Sequence, residues 1–155
     1  MLVNLSNIRN DATMDAPASA MARGLAVKKS GDTIALCAAG DRPYGFLATE
    51  VTADGLSYLE METIPHAEVE ETKVSVGKVV VLLWEPGDIA TDNDGGETWA
   101  VGDKISVDDN GVLSNAGAIG DWYIGIVKDI EQSYGAQVGT MHVITLSHDL
   151  GLVLS

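Results

Sequence analysis

Residues 100–115, AVGDKISVDDNGVLSN, decide the class of the fold. A Gly-Asp corner at 102–103 leads into alternating polar and apolar side chains. Asn110-Gly111 then supplies the two positive φ angles of a type I′ turn, and a return strand follows. The alternation places Ile105 and Val107 on one face. Some seventy residues earlier GDTIAL, at 31–36, opens in the same way.

Working outward, the period stays near two from Gly24 on. Strands are expected at 25–27, 33–38, 46–51 and 57–64, separated by turns at 29–32, 40–43 and 52–55. Residues 65–72, PHAEVEET, read as an acidic surface connection. Residues 73–84 form the strongest strand, and the apolar run VVVLLW at 79–84 implies burial on both faces, inside a barrel or against a neighbouring subunit. Closing strands are expected at 122–130 and 138–146, joined around 133–135, with a short apolar tail at 150–154. Seventeen glycines and a hydrophobic fraction of 46% with a single Phe agree with many short strands and tight corners. The predicted fold is all-β: a small β-barrel or β-sandwich of short antiparallel strands, with an N-terminal extended arm and at most one or two short helices.

The arm is residues 1–23 and the single β-rich domain is 24–155. Within the arm Asp15 is a candidate helix cap, with Pro17 in the first turn and Gly24 as the stop, although two turns of helix are marginal unless docked. Leu2, Val3, Leu5 and Ile8 cannot make a core by themselves. They are expected to fray or to bury themselves against a partner.

The formal charge of −14, from 23 acids and 9 bases, repels phosphate backbones and anionic lipids, so nucleic acid and membrane are poor partners. The longest apolar run is far shorter than the roughly twenty residues of a spanning helix. No signal-peptide run precedes the Ala/Ser-rich stretch near the start. The lone cysteine, Cys37, excludes an intrachain disulfide and sits in an apolar strand, where a reactive thiolate is not expected.

Asp92, Asp94 and Glu97, with Asp103 at the twelfth place of a loop counted from Asp92, invite a calcium reading. A glycine at the fifth place, Asp in the final place and flanking strands weaken it, and a solvated acidic turn is the plainer account. His66, His142 and His148 lack metal spacing, and His142 reads as a satisfied sheet histidine. The chain has no Gly-x-Ser-x-Gly elbow and no phosphate-cradling loop. No catalytic residue, cofactor or metal is therefore assigned. Trp84, Trp99 and Trp122 lie at strand ends, where indoles serve as core or as interface anchors.

Set side by side, residues 26–27, 31–36 and 44–47 correspond approximately to 100–101, 102–107 and 123–127. Each copy reads as strand, Gly-Asp corner, strand, wider connection, then a strand opening at a glycine, Gly45 or Gly125. Such a glycine marks a sharp bend or a close backbone approach. Gly-Asp is also a common turn in its own right.

The ordered run GLAVKKSGDTIALCAAGDRPYGFLATEVTADG, VSVGKVVVLLWEPGD, VGDKISVDDNGVLSN and GDWYIGIVKDI, over residues 24–130, resembles the bacteriophage capsid cement, or head decoration, proteins, which are lambda-like decoration proteins in role. The longer arm and the acidic excursion at 92–97 depart from that pattern. The resemblance implies a structural protein, not an enzyme. It would be made in the host cytoplasm, bind the outside of the capsid in the virion and bridge subunits of the major capsid protein. It commonly acts as a homotrimer. Leu2, Val3, Leu5, Ile8, Trp84, Trp99 and Trp122 are then the expected contacts with capsid or sister subunits. A tail-tube or fibre-base protein is the alternative within the virion, and a small metal-dependent hydrolase the alternative outside it.

Overall fold

The computed structural model of the chain describes residues 2–17, 19–52, 57–58, 77–133 and 140–147, with the backbone alone at 57, 58 and 133. The strands in chain order are β1 (Leu2–Asn4), β2 (Asn10–Asp11), β3 (Ala26–Ser30), β4 (Thr33–Leu36), β5 (Gly45–Leu47), β6 (Glu50–Val51), β7 (Ser57–Tyr58), β8 (Val81–Leu83), β9 (Gly87–Thr91), β10 (Lys104–Val107), β11 (Leu113–Ser114), β12 (Tyr123–Ser133) and β13 (Thr140–Leu146). A 3-10 turn at Asp109–Gly111 is the one helical element among the described residues. Expectations for 59–76, 134–139 and 148–155 lie outside the described residues, and with them His66, His148, the acidic connection and the apolar tail.

The strands form two antiparallel sheets, ordered β1-β9-β13-β12-β10-β11 and β2-β8-β5-β3-β4, beside the small β6-β7 pair. Neither large sheet closes on itself, so of the two expected architectures the chain adopts the sandwich. Period-two alternation explains the layers. In the six-stranded sheet Leu2, Ile89, Ile105, Ile124, Ile144 and Leu146 point inward, and Phe46, Leu82 and Trp84 meet them from the five-stranded sheet in one buried cluster.

The run at 79–84 is buried on both faces as expected, but by the chain itself. Leu82 and Trp84 enter the central core, while Val79 and Val81 join Met14, Met21, Val27, Ile34, Leu47 and Val51 in a second cluster on the outer side of the five-stranded sheet. Neither a barrel nor a neighbouring subunit is needed to cover them.

The N-terminal segment is extended, yet it is built into the body. Leu2 and Val3 are 3% and 1% exposed, Ile8 is 5% exposed and Leu5 is half-buried. β1 pairs with β9 at one edge of the six-stranded sheet and β2 with β8 at one edge of the five-stranded sheet. Between them Asn4 Oδ1 accepts the N–H groups of Ser6 and Ile8, and its amide donates to Ile8 O at 2.8 Å, turning the chain from one sheet to the other. The choice between fraying and a partner omitted this third outcome. Asp15 caps no helix: it bridges to Thr33 and to Lys78, so tertiary pairing overrides a marginal two-turn helix.

Asn110 and Gly111 take φ angles of +61° and +72°, and Val112 N–H donates to Asp109 O, as the type I′ reading requires. The ladder pairs Val107 with Leu113, and Asp108 N–H reaches Val112 O, so the turn sits in a three-residue loop. The tip also packs across the sandwich. A Cβ on Gly111 would lie 2.5 Å from Ala26 O, and the Gly111 N–H donates to Cys37 O.

Candidate functional site

Three turns converge at the end of the five-stranded sheet where β5 begins. Gly45 pairs with Val27 on one side and Leu83 on the other. Just before it, Tyr44 N–H donates to Val27 O at 2.8 Å and Tyr44 O accepts from Trp84 N–H at 3.2 Å, which fixes the ring between β3 and β8. The turn at 40–43 folds over this point. A Cβ on Gly40 would lie 2.8 Å from Asp121 Oδ1, so the turn packs directly on the loop that carries Trp122.

The result is an open cleft of about 370 Å³ lined by Lys28, Lys29, Arg42, Tyr44, Trp84 and Glu85, with Pro43 and Leu83 completing the wall. The Arg42 guanidinium lies 5.3 Å from the Trp84 ring centre and 5.4 Å from that of Trp122, within cation–π reach of both indoles. Lys29 Nζ stands 4.4 Å from the Tyr44 ring centre. Lys28 pairs with Asp41 at 2.6 Å, and Arg9 clasps both oxygens of Glu85.

Burial, then the hydrogen bond to Asp11, pushes the Tyr44 phenol up to about 12. Burial alone would raise Asp11, but the bonds it accepts from Thr13 and Tyr44 outweigh that and hold it below the usual Asp value. The hydrogen bond from Lys28, then the Ala38 N–H, lowers Asp41. Tyr44 therefore stays protonated, and Asp11 and Asp41 ionised, at neutral pH. The arrangement is suited to holding an anion by charge and by planar stacking.

The expected contact residues separate. Trp84, 4% exposed, is core and donates its Nε1–H to Ile124 O at 3.1 Å, while its ring also lies 5.3 Å from the Arg42 guanidinium. Trp99, 3% exposed, lies in the same buried cluster as Trp84, with the His142 ring 4.9 Å away. Trp122 is half-buried at the cleft, three residues after Ile119, which is 86% exposed. Leu2, Val3 and Ile8 are covered by the chain's own sheets.

The four acidic candidates are not gathered as a cation site. Asp94 meets His142 Nε2 at 2.9 Å and accepts Gly96 N–H. Glu97 accepts from Ser114 Oγ and Asn115 N–H. Asp103 accepts from Ala100 N–H and Asn115 Nδ2. Among the described residues no three acidic, His or Cys side chains form a group fit to hold a metal. These carboxylates instead fasten the 92–103 stretch to the β10-β11 hairpin and β13. Asn93 does the same between sheets, its amide donating to Gly24 O and Gly111 O. The Cys37 thiol, 1% exposed, is pushed up to about 12 by burial, then by the Asp41 charge, and is unreactive at neutral pH.

Arg42, Lys28, Lys29 and Tyr44 were not singled out by the sequence reading. Their one sequence signal is that a chain with 9 bases puts three of them beside the Gly31-Asp32 and Gly40-Asp41 corners.

No family model matches the chain, and no curated protein matches its sequence. Among solved structures it is similar to the crystal structure of the pre-mature bacteriophage phi29 gene product 12, with 15% sequence identity and a TM-score of 0.44. The likeness covers 94% of this chain and 21% of that one, so the chain spans about a fifth of that structure's length.

Proposed function

We propose that the chain is a structural protein of a bacteriophage particle, binding the outer surface of the capsid as a decoration protein and bridging neighbouring major-capsid subunits. The observation that carries this reading is the ordered series of turn-and-strand phrases over 24–130, which resembles the capsid cement proteins and whose described residues belong to one sandwich. The way the chain uses its acidic and histidine side chains is in keeping with it. Asp94, Glu97, Asp103 and His142 are spent on holding loops in place.

In this role the work is mechanical. Each copy contributes binding free energy that exists only in the assembled shell, and symmetry repeats it. Copies are proposed to act as homotrimers at three-fold positions. Docking runs through surface features of the folded body, with Trp122 and the cleft beside it the foremost of them, since Leu2, Val3 and Ile8 are committed to the protein's own core.

The test is co-sedimentation of the purified protein with undecorated, expanded heads of its phage. Saturable binding at micromolar concentration with a raised melting temperature of the heads is the expected result. Heads that neither bind the protein nor gain stability would remove the proposal.

A further inference from the structure

We infer that the cleft lined by Tyr44 and Trp84, with Arg42 reaching from it toward Trp122, is a receptor for a carboxylate-bearing segment of a partner protein, with Arg42 as its anchor. The inference rests on the shell-binding reading for the partner's location, and on the cleft's own chemistry for the partner's nature.

Charge bookkeeping inside the cleft leaves Arg42 exceptional. Lys28 is matched by Asp41 and Glu85 by Arg9. Lys29 lies over Tyr44 near enough to Asp11 to help lower that carboxyl. Arg42 is exposed, and among the described residues it makes no ion pair; its close partners are the two indole faces. A guanidinium within cation–π reach of two rings is restrained by both, and, being exposed, it can still donate to an incoming group. That is the arrangement for bidentate capture of a carboxylate, with little side-chain freedom left to lose.

A carboxylate on a polypeptide suits the site better than a phosphate polymer. The whole chain carries −14, and nucleic-acid affinity grows with the number of phosphates neutralised. Lys29 and Arg42 would neutralise few, against a repulsive field from the remainder of the surface. A single Asp or Glu brings one charge, and the attraction acts within a Debye length of about 8 Å, inside which the local cations dominate. A second copy of this chain is the poorer occupant for the same reason, since it brings another fourteen negative charges. The aromatic walls and the 370 Å³ volume fit a short stretch of extended peptide whose flanking side chains pack on the rings.

The experiment titrates the full chain with a capped hexaglutamate peptide, reading tryptophan fluorescence, alongside a capped hexaserine peptide and an oligothymidylate. Arg42→Gln and Lys29→Gln are carried through the same titrations and through head co-sedimentation. The expected result is a saturable change with hexaglutamate alone, weakened by salt and reduced about tenfold by Arg42→Gln, with melting temperature unchanged because the side chain is exposed. Arg42→Gln should weaken head binding in parallel. No saturable change at millimolar hexaglutamate, or an equal one in Arg42→Gln, overturns the inference. So does Arg42-dependent binding of oligothymidylate in preference, or concentration-dependent self-association that Arg42→Gln abolishes. Heads that bind wild type and Arg42→Gln alike remove the cleft inference while leaving the shell-binding reading standing. Heads that bind neither, with Arg42-dependent peptide binding intact, remove the shell-binding reading and keep the cleft.

Discussion

Gly31-Asp32 and Gly102-Asp103 are the same dipeptide in two different turns. In the five-stranded sheet Gly31 takes φ +63° at the first of two loop positions between Ser30 and Thr33, the arrangement of a type II′ turn, and β3 and β4 pair directly across it. In the other sheet Gly102 takes φ +92° at the third position of a turn closed by Asp103 N–H to Ala100 O, the arrangement of a type II turn. A type II turn splays its arms, and residues 98–101 form no strand with β10. The glycine-opened strands differ accordingly. Gly45 pairs with Val27, before its corner, and Gly125 with Ile105, after its corner. The phrase repeats a dipeptide without repeating its turn type or topology, and the two halves are not copies of one unit.

What the halves do share is the reason for their second glycine. A Cβ on Gly45 would stand 2.2 Å from Leu82 O, and one on Gly125 2.6 Å from Thr145 O. The largest expected effect is therefore Gly45→Ala, destabilising by about 4 kcal/mol or more, with Gly125→Ala somewhat smaller at about 3 kcal/mol, because backbone must move in both. Urea denaturation gives both values. Equal tolerance of the two alanines would contradict the close-approach account.

Next in size, Leu2→Ala and Ile8→Ala should each cost about 2 to 3 kcal/mol in the isolated protein. A loose arm would show less than about 0.5 kcal/mol for either. The corner aspartates sharpen the comparison further. Asp103 accepts two hydrogen bonds through its side chain, so Asp103→Ala should lose about 1 kcal/mol. The Asp32→Ala change should stay within about 0.5 kcal/mol, because Asp32 contributes to the fold through its backbone carbonyl, which accepts from Asp15 N–H.

The smallest effect is in pH. Hydrogen bonds from Asn115, then Ala100 N–H, lower the Asp103 pKa below the ordinary 3.8. Its stabilisation is thus complete above that value and is lost as pH falls through the lowered folded pKa. Stability of wild type and Asp103→Ala should converge at acid pH, separate as pH rises from the lowered folded pKa to about 4, and differ by a constant amount above that. A gap that stays constant down to acid pH would assign the loss to something other than ionisation.

The all-β class was legible because alternation and turn residues are local. Asn110-Gly111 needs no distant partner to declare its φ angles, and the 79–84 run declares double burial by composition alone. The fate of the N-terminal segment was not legible. Leu2 pairs with Thr91 and Asn10 with Leu82, contacts that no local pattern announces. The partners of the acidic excursion were hidden for a related reason: the spacing of Asp92, Asp94 and Glu97 is local, while Asp94 meets His142 and Glu97 accepts from Ser114 and Asn115 only in the folded chain. The cleft was invisible as a site because Arg42 meets Trp84 and Trp122 only in the folded sandwich. The tryptophans stand out in the sequence as strand-end indoles, but nothing local shows that Arg42 lies near two of them.

The central claim is attachment to the outside of a phage capsid, and electron cryomicroscopy of expanded heads with and without the purified protein tests it most directly. The difference map should show density of this sandwich's size on the outer surface, repeated at three-fold positions and touching more than one capsid subunit. Density confined to the tail or vertex, or identical maps at saturating protein, would contradict it.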